Sequence, residues 1–291
     1  MSALRLASRL VDEAAVAGSR HVPLLLRVAL WLTAPAAALA ALTLAFDPTR
    51  FISFGVDVTT LTADDAETIA AVATRAVALY APLWLGVTLC SLALEGVISL
   101  AGWQLLHGRS ASPRALLLGL YARRWAVLGL AFTKTLVIGA AQLALVLVVG
   151  VGVGLASVSI PGFTARLMEA AAAPLVMVEE AGPVGALRRS FQLVRRRWGA
   201  SAWAWLLAVA LSGVVVLNLE GLARFSGLME EEGGGLLAAV TAPRAYVASL
   251  VIALAGVPVR GMVLVALYRH LRVATEGWYL GASPLMRGGR P

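Results

Sequence analysis

The sequence predicts an all-α fold: a polytopic integral membrane helical bundle of six transmembrane helices, with amphipathic helices along its cytoplasmic face. Three observations carry this. Of the 291 residues, 60% are hydrophobic and only 14% are charged, whereas a soluble domain carries about a quarter charged residues. Several apolar runs reach the ~18–20 residues that a helix needs to cross ~30 Å of hydrocarbon. These runs lack the alternation of a strand, so the spans are helical and a β-barrel is excluded.

Residues 1–20 read as a helix lying on the membrane surface. Leu4, Ala7, Leu10, Val11 and Ala14 share one face, and Arg5, Arg9, Asp12 and Glu13 supply the other. Span 1 follows at about 25–46. Ala38-Leu39-Ala40 has the form of a signal-peptidase site, but a leading region containing Asp12 and Glu13 is unlike a signal sequence, so span 1 is expected to be retained. A polar loop over 47–68 carries Asp47, Asp57, Asp64, Asp65 and Glu67 against Arg50, which suits the outside.

Span 2 runs over about 76–104. Behind it Arg109, Arg114, Arg123 and Arg124 form a basic hairpin, with Ser112-Pro113 as a helix start. Span 3, about 125–157, contains Gly150, Gly152 and Gly154. No strand precedes them, so close helix packing through Gly150-xxx-Gly154 is preferred to a dinucleotide site. Pro161-Gly162 turns the chain into a short span 4, about 163–178, which at ~16 residues and ~24 Å is marginal for a full crossing.

Span 5 at about 199–222 is led by Trp198, Trp203 and Trp205, and Glu230, Glu231 and Glu232 mark an acidic outer loop. Span 6 covers about 245–268, and residues 273–291 form a polar tail. No second domain is expected within 1–291.

Basic residues set the orientation. Seventeen lie on the side shared by both termini. Five, Arg50, Arg75, Arg166, Arg224 and Arg244, lie on the other, which predicts N-in, C-in. The formal charge of +8 falls in short clusters between apolar runs, so anionic lipid headgroups, not nucleic acid, are the expected partner. Cys90 is the sole cysteine, which excludes a disulfide within the chain.

The segment 183–198 is the most polarised. Val184, Leu187, Phe191, Val194 and Trp198 follow one helical face, while Arg188, Arg189, Arg195, Arg196 and Arg197 occupy the remainder. Pro183 suits the first helical position, and Glu179 and Glu180 precede it, near the positive end of the helix. An interfacial helix that fixes topology, a docking surface for a membrane or cytoplasmic protein partner, and a phosphate-handling site are the three readings of this surface.

Pro174-Leu-Val-Met-Val-Glu179, Gly182 and Ala186-Leu187-Arg188-Arg189-Ser190-x-x-Leu193 resemble the signature of a bacterial six-span family labelled "glycerophosphoryl diester phosphodiesterase membrane domain". The stretch Leu267-Tyr268-Arg269-His270-Leu271-Arg272-x-x-x-Glu276-Gly277 is similar to that family's closing pattern, with His270 where an Asp is common. The resemblance implies a six-helix protein of the bacterial cytoplasmic membrane. It does not confer the phosphodiesterase activity, because the catalytic domain to which such proteins are sometimes fused is a soluble barrel with metal-binding His and carboxylates.

No catalytic constellation, cofactor motif or metal-ligand spacing is found, and His21, His107 and His270 lie far apart. Four ions fall inside the spans: Glu95, Lys134, Glu169 and Arg260, each ~13–18 Å from a cytoplasmic end at 1.5 Å per residue. Two acids and two bases at one depth are expected to pair, Glu95 with Lys134 and Glu169 with Arg260, or with the partners exchanged. The expected function is a non-enzymatic scaffold, accessory or assembly factor, presenting Glu179, Glu180, the five arginines, Arg269, Arg272 and Glu276 at the cytoplasmic face. A transporter using the buried ions is the alternative, and a lipid-modifying enzyme the third reading.

Overall fold

The computed structural model describes residues 3–45, 66–133, 136, 167, 170–225 and 243–276. Among them all regular structure is helical. In chain order the helices are α1 Ala3–Ser19, α2 Val22–Ala45, α3 Ala66–Leu106, α4 Pro113–Ala122, α5 Arg124–Thr133, α6 Ala172–Glu179, α7 Pro183–Arg196, α8 Trp198–Phe225, α9 Pro243–Ile252 and α10 Gly256–Glu276.

Four described helical stretches are long and apolar enough to cross a membrane: Val22–Ala45, Ala78–Leu106, Trp198–Phe225 and Arg244–Glu276. The α4–α5 pair, bent by 65°, makes a fifth if it is taken as one broken span. Most of the expected third span, the first part of the fourth, both acidic outer loops and Gly150 to Gly154 lie outside the described residues.

Three expected boundaries are refined. Helix α3 begins at Ala66, inside the expected 47–68 loop, and runs on through the expected span 2, whose apolar crossing stretch is Ala78–Leu106. Ala66 to Ala73 contains neither Gly nor Pro, and Glu67 in the first turn favours the positive helix end, so the apparent end of the loop is already helical. The basic hairpin, second, holds helix α4 behind its expected Ser112-Pro113 start. Ser112 Oγ accepts from the Ala115 N–H at 3.3 Å and Pro113 takes the first helical position, as the sequence led us to expect.

The third refinement concerns span 6, which is interrupted by a 3-10 turn at Ala253–Ala255. Pro258 has no N–H to continue the α-helical ladder back to Leu254. The Gly256 N–H instead reaches the carbonyls of Ala253 and Leu254, the tighter pattern of a 3-10 turn.

The chain divides into two compact units. The first comprises the described parts of Met1–Val28, Leu92–Leu211 and Pro258–Pro291. Leu94, Ile98, Leu116, Leu175, Met177, Leu267, Tyr268 and Leu271 are fully buried in its core. Helices α3 and α10 approach closely at Gly261, where an added Cβ would stand 2.7 Å from Ile98 Cγ2. The second unit, the described parts of Ala29–Ser91 and Ser212–Val257, packs Ala40, Val72, Ala76, Tyr80, Leu83 and Val247 together. Trp84 Nε1 donates to the Tyr246 hydroxyl at 2.8 Å, which satisfies the indole of a half-buried ring. Cys90 is buried against Ala36 and Leu254.

Both amphipathic helices form; α1 buries its expected face, and α7 buries a rotated one. On α1 the buried residues are Ala7, Leu10 and Ala14, while Leu4 is half exposed. On α7 they are Ala186, Ser190, Leu193 and Val194, and Val184 and Trp198 of the expected face are exposed. Counting apolar residues misplaced the α7 stripe because its centre holds a serine with a hydrogen-bonding task.

Candidate functional site

That serine starts the site. The Ala171 N–H precedes α6 and has no helical acceptor. It donates to Ser190 Oγ at 3.1 Å in a buried contact that ties α7 to the start of α6. Helix α6 then carries Leu175, Met177 and Val178 into the core and ends on two adjacent glutamates.

The helix closes with Glu180 in the left-handed region, φ 59° and ψ 25°. The Glu180 N–H and the Ala181 N–H both reach back to Leu175 O, the latter at 3.3 Å, and close the helix end. Glycine usually fills the left-handed position, and a side chain there costs about 1 kcal/mol. Arg123, at the α4–α5 break, offsets this from two sides. Its guanidinium donates to Met177 O, a carbonyl without a helical partner, and pairs with the Glu180 carboxylate.

This reversal points Glu179 inward, to the centre of a closed array. The Tyr268 hydroxyl donates to Glu179 Oε1, and Arg272 Nη1 pairs with the same oxygen. Arg189 Nη1 lies 2.9 Å from Glu179 Oε2. Across the array Arg189 Nη2 lies 3.0 Å from Glu276 Oε1, and Arg272 Nε 2.7 Å from Glu276 Oε2. Two guanidinium groups and two carboxylates therefore alternate around a ring, each ion touching both counter-ions. Glu179 and Arg272 are each only 15% exposed at the side chain, whereas Arg189 and Glu276 form the outer rim. The ring joins the end of α6, the middle of α7 and the last turns of α10.

The sequence-singled stretches Pro174–Trp198 and Tyr268–Glu276 thus meet, and Glu179, Glu180, Arg189, Arg272 and Glu276 are ion-paired. Both glutamates ahead of α7 pair with arginines, and Glu179 also accepts from the Tyr268 hydroxyl. Arg269 reaches Glu13 of α1 at 3.5 Å. Arg188, Arg195, Arg196 and Arg197 make no ion pair among the described residues. Arg123, Ser190 and Glu13 were not picked out as site residues in the sequence. Arg123 read as one more topology charge, and a lone Ser on an apolar face has no distinctive spacing.

Of the four ions expected within the spans, Arg260 Nη2 pairs with Glu95 Oε1 at 2.7 Å, linking α10 to α3. This contact belongs to the exchanged arrangement; Lys134 and Glu169, and with them the Glu95–Lys134 and Glu169–Arg260 pairings, lie outside the described residues. Among the described residues no group of three His, Cys, Asp or Glu side chains is placed to hold a metal ion. Chemically, the ring is a set of charge-assisted contacts that ties the end of α6, the middle of α7 and the end of α10 together.

In class, the chain is an all-helical protein with four described helices long and apolar enough to cross a membrane. No family model matches it, and no curated protein or solved structure shows a match.

Proposed function

We propose that the chain is a non-enzymatic scaffold or accessory protein of the bacterial cytoplasmic membrane, crossing it six times with both termini inside. The observation that carries this reading is the ion-pair ring of Glu179, Arg189, Arg272 and Glu276. It spends its charges on bracing three helices, while Arg188, Arg195, Arg196 and Arg197, which make no ion pair among the described residues, are available to meet an anionic surface or a partner. A paired Glu95–Arg260 fits the same role, because a charge pair inside an apolar bundle fixes helix position.

Support for the membrane setting comes from the exposed apolar side chains. Leu26, Leu30 and Trp31 on α2, and Trp203, Val214, Leu217 and Leu222 on α8, are all more than a third exposed, as lipid-facing positions are. Tyr121 and Trp125 flank Arg124, whose guanidinium sits 4.1 Å and 5.7 Å from their ring centroids, an arrangement suited to the headgroup level.

Single-cysteine labelling on a Cys90→Ala background tests the topology. Ser110→Cys is expected to react with an impermeant maleimide only after the membrane is opened, and Thr59→Cys in intact cells. Labelling of Ser110→Cys in intact cells would refute the orientation. For the scaffold role, affinity recovery from membranes is compared between the wild type and a variant with Arg195, Arg196 and Arg197 changed to Gln. Selective loss of a stoichiometric partner supports the role, and unchanged recovery of every partner removes that surface from it.

A further inference from the structure

We infer that the outer face of α7 is a binding site for the phosphate of an anionic membrane phospholipid, and that Glu276 occupies part of that site as an internal competing anion. This deepens the proposed function and rests on its placing of α7 at the cytoplasmic membrane surface.

The site is a concavity of about 400 Å³ bordered by Gly185, Arg188, Arg189, Gln192, Arg196 and Glu276. Positions 185, 188, 189, 192 and 196 form a single stripe along the helix, at spacings of three and four. The adjoining face is anchored by the buried Ala186, Ser190 and Val194, with buried Leu193 also bordering the concavity, so the stripe is held in a fixed orientation. Arg188 and Arg196 bring two guanidiniums to it with no ion pair among the described residues. A planar fork of donors matches phosphate oxygens in pairs. Gly185 adds no side chain, leaving the floor of the concavity open.

Glu276 distinguishes this site from a merely basic surface. Its carboxylate borders the same concavity and holds Arg189 at 3.0 Å, the remaining guanidinium that an incoming phosphate would use. A bound anion and Glu276 therefore compete for Arg189. Release of Glu276 from Arg189 leaves it the contact to Arg272 at 2.7 Å, so the ring opens at its exposed rim while Glu179 keeps Arg189 and Arg272.

A lipid, not a free anion, is the occupant because the concavity is open on one side and its positive charge comes from arginine side chains along an exposed stripe. Open arginine clusters of this kind gain their occupancy from a surface that concentrates the anion. Val184 and Trp198, exposed at the two ends of α7, supply apolar contacts for the acyl region of that surface.

The test uses the full chain in neutral detergent, titrated with short-chain phosphatidylglycerol and followed by native mass spectrometry. The comparison probes are short-chain phosphatidylcholine and free glycerol phosphate. Phosphatidylglycerol is expected to bind and phosphatidylcholine not. Arg188→Gln with Arg196→Gln should weaken binding roughly 10- to 30-fold, and Glu276→Gln should strengthen it several-fold. The double arginine variant alters no described ion pair, so it reports on binding even if Glu276→Gln folds poorly. Undiminished binding by the arginine variant overturns the site, a Glu276→Gln variant that folds and binds no tighter overturns the competition, and equal binding of glycerol phosphate overturns the lipid as occupant. The Ser110→Cys labelling separates these failures from an error of topology: inside-only labelling with unaltered lipid binding in the arginine variant refutes this inference alone.

Discussion

The guanidinium of Arg260 holds the carboxylate of Glu95 at 2.7 Å, with the two side chains 27% and 17% exposed. Each belongs to an apolar helix, α10 and α3, and neither ion is tolerated there alone. An isolated charge within a membrane costs about 2.5–3.5 kcal/mol on the insertion scale. Arg260→Leu is therefore expected to destabilise the protein by about 1–3 kcal/mol, because it removes the guanidinium that Glu95 engages at 2.7 Å. The double change Glu95→Gln with Arg260→Leu should cost less than Arg260→Leu alone. Thermal unfolding in detergent measures both, and equal losses would show that the pair does not act as a unit.

Glu179 receives three donors, so its removal leaves the most behind. Glu179→Gln keeps an acceptor for Tyr268 but removes the negative charge between Arg189 and Arg272, and about 2–4 kcal/mol of stability should be lost. Arg196→Gln, outside the ring, should stay within about 0.5 kcal/mol of wild type. A difference of less than 1 kcal/mol between the two variants would mean that the ring does not brace the helices.

At the left-handed turn two effects oppose each other. Glu180→Gly relieves about 1 kcal/mol of backbone cost but removes an ion pair whose acidic partner is 64% exposed, worth about 0–1 kcal/mol. The net change should be near zero. Arg123→Ala loses the pair and also the donor to Met177 O, so a loss of about 1–3 kcal/mol is expected. Denaturant unfolding distinguishes them, and the reverse order would place the importance of this corner in Glu180 and not in Arg123.

Packing at the α3–α10 crossing is tested by size. Gly261→Ala would bring a Cβ to 2.7 Å from Ile98 Cγ2, which forces the helices or the side chain to move at about 1–3 kcal/mol. Ile98→Ala in the same chain removes that methyl, so the double variant should lose less than the sum of the two single changes. Strict additivity would argue against this contact.

The sequence was most legible where local chemistry decides. The Ser112 cap with Pro113, the Pro183 start of α7 and the apolar lengths of α2, α3 and α8 rest on propensities and hydropathy confined to a few turns. Boundaries were less legible. The start of α3 at Ala66 was hidden because the Glu67 turn looks like loop by polarity. The 3-10 turn at Ala253–Ala255 had a signal in Pro258, which removes one ladder bond, but apolar continuity masked it.

By itself the sequence determined that the chain is helical and apolar and that its charges fall in separate clusters; those properties follow from side-chain chemistry and periodicity along one segment at a time. It also marked Glu179, Arg189, Arg272 and Glu276 as belonging to two distinctive stretches. Only the tertiary structure decided that these four close into a ring, that Arg260 takes Glu95, and that Arg123 and Ser190 serve the ends of α6. Each of those choices depends on which residues meet across distant parts of the chain. Like-charged alternatives of equal depth are equivalent in sequence and become unequal only when helix packing fixes their distances.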